Sequence, residues 1–201
     1  NIYLFFDEGI EFYKNYLRIG IAGIIGGVGL GTAMITFIWS ITNTSVAITL
    51  LCLSAMPFIT ALLGFLFLKE KIRPSVWAAI FVASIGVGIM AFDSVSIGSL
   101  NGLIYGLASA LGFSIFSVSL RWKKETPKFT TVAVAGLFCC LFSIAILIQK
   151  DLNFLSSSKN QGLFGVHGTL VCLGLILYSI GSKNLPAAEL TLLSLTEVIG
   201  G

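Results

Sequence analysis

The stretch IGIAGIIGGVGLGTAMITFIWSITNTSVAITLLCLSAMPFITALLGFLFL, residues 19–68, carries no charged side chain between Arg18 and Lys69. As one helix at 1.5 Å rise per residue it would run about 75 Å. A bilayer's hydrocarbon core is crossed by about 20 apolar residues. The stretch is therefore too long for one crossing and suits two, with the break at the polar ITNTS segment, Ile41–Ser45. Continuous apolar runs of this kind predict helices; barrel strands would alternate apolar and polar residues.

The whole chain follows the same pattern. Hydrophobic residues make up 56% of its 201 residues and the mean hydropathy is +0.99. Charged residues make up 10%, against about 25% in an ordinary soluble domain. This excludes a soluble fold, and the scarcity of polar residues excludes disorder. A scattered net charge of +3 gives no footprint for nucleic acid. Cys52, Cys139, Cys140 and Cys172 lie inside apolar runs, without metal-ligand spacing or a disulfide framework. No metal or cofactor is expected. The chain starts at Asn1 and stops at Gly201 inside an apolar run, which reads as a piece of a longer protein.

Charge-free intervals predict seven spans, at 19–41, 44–68, 74–92, 99–120, 129–149, 162–182 and 186–201, the last cut short. Residues 1–17 mix aromatics with Asp7, Glu8, Glu11 and Lys14 and read as an interfacial segment. Lys14, Arg18, Lys69, Lys71, Arg73, Arg121, Lys123, Lys124, Lys128 and Lys183 fall on one side of the alternating loops, and Lys150 and Lys159 on the other. The asymmetry of 10 to 2 predicts a cytoplasmic basic side.

Small residues let membrane helices approach closely. Gly23, Gly27 and Gly31 recur every four residues in the first span, and Gly102, Gly106, Ala110 and Ser114 do so in the fourth. Both stripes are expected at helix interfaces. A shift of 140 residues lays span two on span seven with five matches in 19 positions, a thin signal. Spans five crossings apart run in opposite directions, so the repeat would be inverted, with a binding site at its interface near the midplane.

The segment AITLLCLSAMPFITALLGFLFLKEKIRPSVWAAIFVASIGVGIM, residues 47–90, resembles the signature of the EamA-type drug/metabolite transporter superfamily. Its features are hydroxyl residues leading to mid-helix Pro57, Glu70 at the helix end, a basic turn, and Gly86-Val87. NLPAAELTLLSLTEVIGG, residues 184–201, resembles the second copy, with Glu197 at the place of Pro57. The resemblance implies an all-α polytopic bundle of ten helices in two inverted repeats, of which the seven spans correspond to helices three to nine. Residues 1–93 would belong to the first repeat and 94–201 to the second.

An acid inside a span is costly and usually faces a cavity or a partner. Glu197 would sit near the midplane as a substrate or proton ligand, with Ser54, Pro57 and Ser194 around it. Thr36, Trp39, Tyr178 and Asn43 add polar and aromatic groups in spans one and six. Trp39 also fits an interfacial belt. Glu189, just after Pro186, fits a helix start. His167, a lone histidine near the outer end of span six, makes no metal site; it and Glu189 are further candidates for proton relay or substrate binding.

A seven-helix pump binding retinal needs a mid-helix lysine, and none of the spans has one. No HExxH, GxSxG or Walker pattern supports an enzyme or an ATP-driven pump. The expected function is a secondary transporter, an exporter of small metabolites or amino-acid-like compounds in a bacterial inner membrane. The alternative is a seven-helix receptor or a membrane-embedded subunit without transport activity. Expected partners are a small-molecule substrate, the lipid bilayer and a second copy in a homodimer, without nucleic acid.

Overall fold

A computed structural model describes residues 19–69, 100–122, 128–150, 158–182 and 185–194, with scattered positions between 74 and 85. The described residues form helices α1 (Gly20–Asn43), α2 (Val46–Leu53), α3 (Met56–Leu63), α4 (Leu100–Trp122), α5 (Lys128–Gln149), α6 (Ser158–Gly181) and α7 (Ala187–Ser194). A π-turn at Gly64–Leu68 continues α3. Five segments are long and apolar enough to cross a membrane: Gly20–Asn43, Val46–Leu68, Leu100–Trp122, Phe129–Gln149 and Gln161–Gly181. They coincide with five of the expected spans. The expected span at 74–92 and most of that at 186–201 lie outside the described residues.

The break between the first two spans is built from the ITNTS residues. The Thr44 N–H closes α1 on the Ser40 carbonyl at 2.9 Å. Ser45 then caps α2, its hydroxyl accepting from the Ile48 N–H at 3.2 Å. The second span ends with Lys69 in the left-handed region (φ 55°), its N–H returned to the Gly64 carbonyl.

Contacts between helices fix their directions. On α1 and α4, Ser40 meets Gly102, Ala33 meets Ser109, and Gly29 meets Gly112. Residue numbers rise on one helix as they fall on the other, so the two are antiparallel. Gly27 lies against Val134, Gly31 against Phe138 and Trp39 against Phe142, so α1 and α5 are parallel. Cys52 meets Gly106, Met56 meets Ser114, and Phe67 meets Trp122, so the second span runs parallel to α4. Leu68 and Leu100 are therefore at opposite ends of the bundle.

The centre is α1 packed on α4, with the second span also packed on α4 and touching α1 through Ser40 and Thr49. Leu30, Phe116, Leu120 and Ala135 form its apolar cluster. The glycines explain the closeness. A Cβ on Gly106 would lie 2.8 Å from the Cys52 Cβ, and one on Gly31 would lie 2.6 Å from the Phe138 ring. By contrast, α5 and α6 leave most of their apolar surface uncovered, as helices facing lipid do.

Candidate functional site

The second span is broken at its middle. Its α2 half ends in a tight turn, with the Ala55 N–H bonding the Cys52 carbonyl at 3.1 Å. The Ser54 hydroxyl folds back onto the Leu51 carbonyl at 2.5 Å. Pro57 then sits in the first turn of α3, where its missing N–H is tolerated. Broken helices at membrane depth are tolerated where the freed backbone is held by protein or lines a cavity.

Hydroxyls from α4 serve this break. Ser114 is fully buried and donates to the Ala110 carbonyl at 2.7 Å and to the Met56 carbonyl at 3.2 Å. Nearer the Asn43 end, Ser40 and Thr49 share a 2.8 Å hydrogen bond, and Ser40 Oγ also lies 2.8 Å from the Gly102 carbonyl. Ser109 donates to the Ala33 carbonyl at 2.8 Å. These bonds tie the first, second and fourth spans into one polar-stitched unit. Beyond the break, Met56, Pro57, Thr60 and Ala61 form the buried stripe of α3. Ala61 packs against Ala188 of α7, with Leu192 beside them.

The other sequence-chosen residues are dispersed. Thr36 is buried and spends its hydroxyl on its own helix, on the Thr32 carbonyl at 2.7 Å. Trp39 stands edge-on to Tyr105, with ring centroids 5.4 Å apart, and 5.6 Å from Phe142. Asn43 donates to the Trp39 carbonyl at 2.8 Å. Tyr178 belongs to a different cluster, with Phe113 at 5.1 Å and Phe116 at 6.0 Å, and its hydroxyl lies 2.5 Å from Ser117 Oγ. Glu189 is half-buried in the first turn of α7, where an acid complements the helix dipole. Glu197 and the side chain of Ser194 lie outside the described residues.

His167 is exposed and lies on a groove of about 320 Å³ between α1, α5 and α6, lined by Met34, Val132, Gly136 and Cys172 among others. The lining is mostly apolar, and the groove is far in character from the polar break in the second span.

Sequence reasoning passed over Thr60 and Ser117. A threonine or serine inside an apolar span gives no periodic signal. Only the fold shows which hydroxyls meet a partner. Arg121 had counted only toward topology. It reaches from the end of α4 to the Leu185 carbonyl, and to the Ser182 carbonyl at 3.4 Å.

These features define a helical membrane protein with a broken, polar-supported span at its centre. Residues 2–92 match the EamA-like transporter family. An uncharacterized transporter of Helicobacter pylori strain J99 is 26% identical over all of this chain and 68% of its own length. One from Vibrio cholerae is 36% identical over 81% of this chain and 50% of its own length. One from Bacillus subtilis is 24% identical over 80% of this chain and 56% of its own length. The chain is thus similar to EamA-like transporters, and it spans between half and about two thirds of the length of these curated relatives. No solved structure matches it.

Proposed function

We propose that the protein is a secondary transporter that exports small metabolites or amino-acid-like compounds by alternating access between two inverted repeats. The observation that carries this is the break at Ser54–Pro57, placed at mid-span on a helix that packs against both α4 and α7. In secondary transporters, discontinuous helices near the midplane form the substrate site at the repeat interface. The direction of the helices supports the inverted arrangement. The second span runs parallel to α4. Ser117 pairs with Tyr178 and Arg121 with Ser182 at the same offset, so α4 and α6 are also parallel. A chain turning at 182–186 from the end of α6 then enters α7 in the direction opposite to the second span.

In this reading the ten helices of the family are completed around the present spans, with residues 1–93 in the first repeat and 94–201 in the second. The basic ends, marked by Lys69 and Arg121, face the cytoplasm of a bacterial cell. Glu197, Ser54 and Ser194 face the central pathway, and Glu197 takes part in substrate or proton binding.

The test is metabolite profiling of the medium of bacterial cells expressing the full reading frame. One or a few small metabolites should accumulate outside expressing cells and not outside cells carrying a Pro57→Leu variant of equal abundance. Identical media from both would overturn the export reading.

A further inference from the structure

Thr36, Thr42, Thr49, Thr169 and Thr191 each return their hydroxyl to a carbonyl four residues back on or beside their own helix. This is how a membrane helix usually satisfies a threonine. Thr60 does not. It is completely buried, and its Oγ1 has no hydrogen-bond partner among the described residues. Its ordinary acceptor would be the Met56 carbonyl. That oxygen already serves the Thr60 N–H in the helix ladder and takes a second bond from Ser114 Oγ at 3.2 Å. Ser114 shares its one hydroxyl proton between that oxygen and the Ala110 carbonyl at 2.7 Å, and so competes with the Thr60 hydroxyl for its usual acceptor. Thr44 and Ser179 also lack partners, but both lie at span ends.

Pro57 lies eleven residues from either end of the Val46–Leu68 span. It has no N–H to give to the Leu53 carbonyl, which therefore loses its ladder donor. Pro57 and Thr60 both belong to the buried stripe of α3, and Leu53 is the last residue of α2 before the turn. The Leu53 carbonyl and the Thr60 hydroxyl, both outside the regular bonding of the span, thus flank the break at mid-span within about two helical turns of each other. Neighbouring Ala61 packs on Ala188 and Leu192, so α7 closes over that stretch of α3.

We propose that the Thr60 hydroxyl and the Leu53 carbonyl form a midplane site for a primary amino or ammonium group of the transported solute. An ammonium offers three donors and no acceptor, matching two oxygens that can both accept. A carboxylate or phosphate would meet the carbonyl oxygen with like partial charge. The site opens when α7 moves off α3, and the hydroxyl's missing partner is the solute. This inference rests on the transport reading, but it is tested without a known substrate.

The experiment compares Thr60→Cys with Thr49→Cys in the full-length protein in membrane vesicles, with native cysteines retained. Both positions are completely buried, but Thr49 is bonded to Ser40 and Ser45. Modification by trimethylammonium-ethyl methanethiosulfonate is read at each position by peptide mass spectrometry. A pathway residue exposed by local opening should react about tenfold faster than one in a fixed interface. L-Alanine and L-leucine should slow modification of residue 60, and the hydroxy acids lactate and 2-hydroxyisocaproate should not. Equal, slow modification at both positions would overturn the site. Fast modification at residue 60 with equal protection by amino and hydroxy acids, or with none, would overturn the amine assignment. Should Thr60→Cys fail to accumulate, Thr60→Ser and Thr60→Val take its place. Alanine-induced thermal stabilisation retained in the serine variant and lost in the valine variant supports the proposal. Equal behaviour of the two overturns it. Failure of the transport reading shows separately, as absence of any solute flux by the wild-type protein.

Discussion

Gly29 and Gly112 meet backbone to backbone where α1 crosses α4. A Cβ on Gly112 would lie 2.6 Å from the Gly29 carbonyl oxygen, and one on Gly29 would lie 3.0 Å from the Gly112 carbonyl oxygen. Neither neighbour is a flexible side chain that could turn away, so relief requires the helices to separate. Separation would also stretch the Ser109 bond to the Ala33 carbonyl, one turn along.

Gly112→Ala should therefore destabilise the protein by about 1–3 kcal/mol, the usual cost of overpacking. Gly136 has open space at its Cβ position, and Gly136→Ala should stay within about 0.5 kcal/mol of wild type. Thermal unfolding in detergent reads both. Equal melting of the two variants would show that the α1–α4 crossing is looser than described.

Ser117 and Tyr178 form a second linkage, at 2.5 Å, between α4 and α6. Ser117 is completely buried. Tyr178→Phe leaves its hydroxyl unpaired and should cost about 1–3 kcal/mol. Removing both hydroxyls, in Ser117→Ala/Tyr178→Phe, should cost less than the sum of the single changes. A double-mutant cycle measures this coupling, and strict additivity would mean that the pair does not bond.

Arg121 holds the turn that leads into α7 through the Ser182 and Leu185 carbonyls. Arg121→Gln keeps some hydrogen-bonding capacity but loses the planar, charged fork. Hydrogen exchange at the Ser182 and Leu185 amides should rise relative to that in the core of α4. Unchanged exchange would remove Arg121 as the anchor of that turn.

The spans were legible because charge-free length is a direct consequence of the bilayer. The expected 19–41 became Gly20–Asn43, and 99–120 became Leu100–Trp122. Pro57 was legible as a mid-helix proline, whose missing N–H acts locally. What the break does was not, because Ser114 lies 58 residues away and its bond to Met56 depends on how α4 packs. Trp39 shows the same limit. Its position in the sequence fits an interfacial belt or a substrate platform, whereas its ring packs between Tyr105 and Phe142. Those partners come from helices four and five, and no spacing within α1 announces them.

The basic asymmetry of the loops has its own test. Lys69 and Lys150 are both exposed and lie at opposite ends of the bundle. A cysteine at position 69 should be labelled by a membrane-impermeant maleimide only from the cytoplasmic side, and one at position 150 only from outside. Labelling of both from one side would contradict the alternation of α1, the second span, α4 and α5.

The claim that this protein moves solutes is tested most directly by counterflow in liposomes holding the purified full-length protein. Vesicles preloaded with an unlabelled small metabolite should accumulate its labelled form from outside, saturably and only when protein is present. Glu197→Gln should lower that accumulation at unchanged protein abundance and melting behaviour. Folded, monodisperse protein that carries no solute above protein-free vesicles, across amino acids, amines and other small metabolites, would contradict the account.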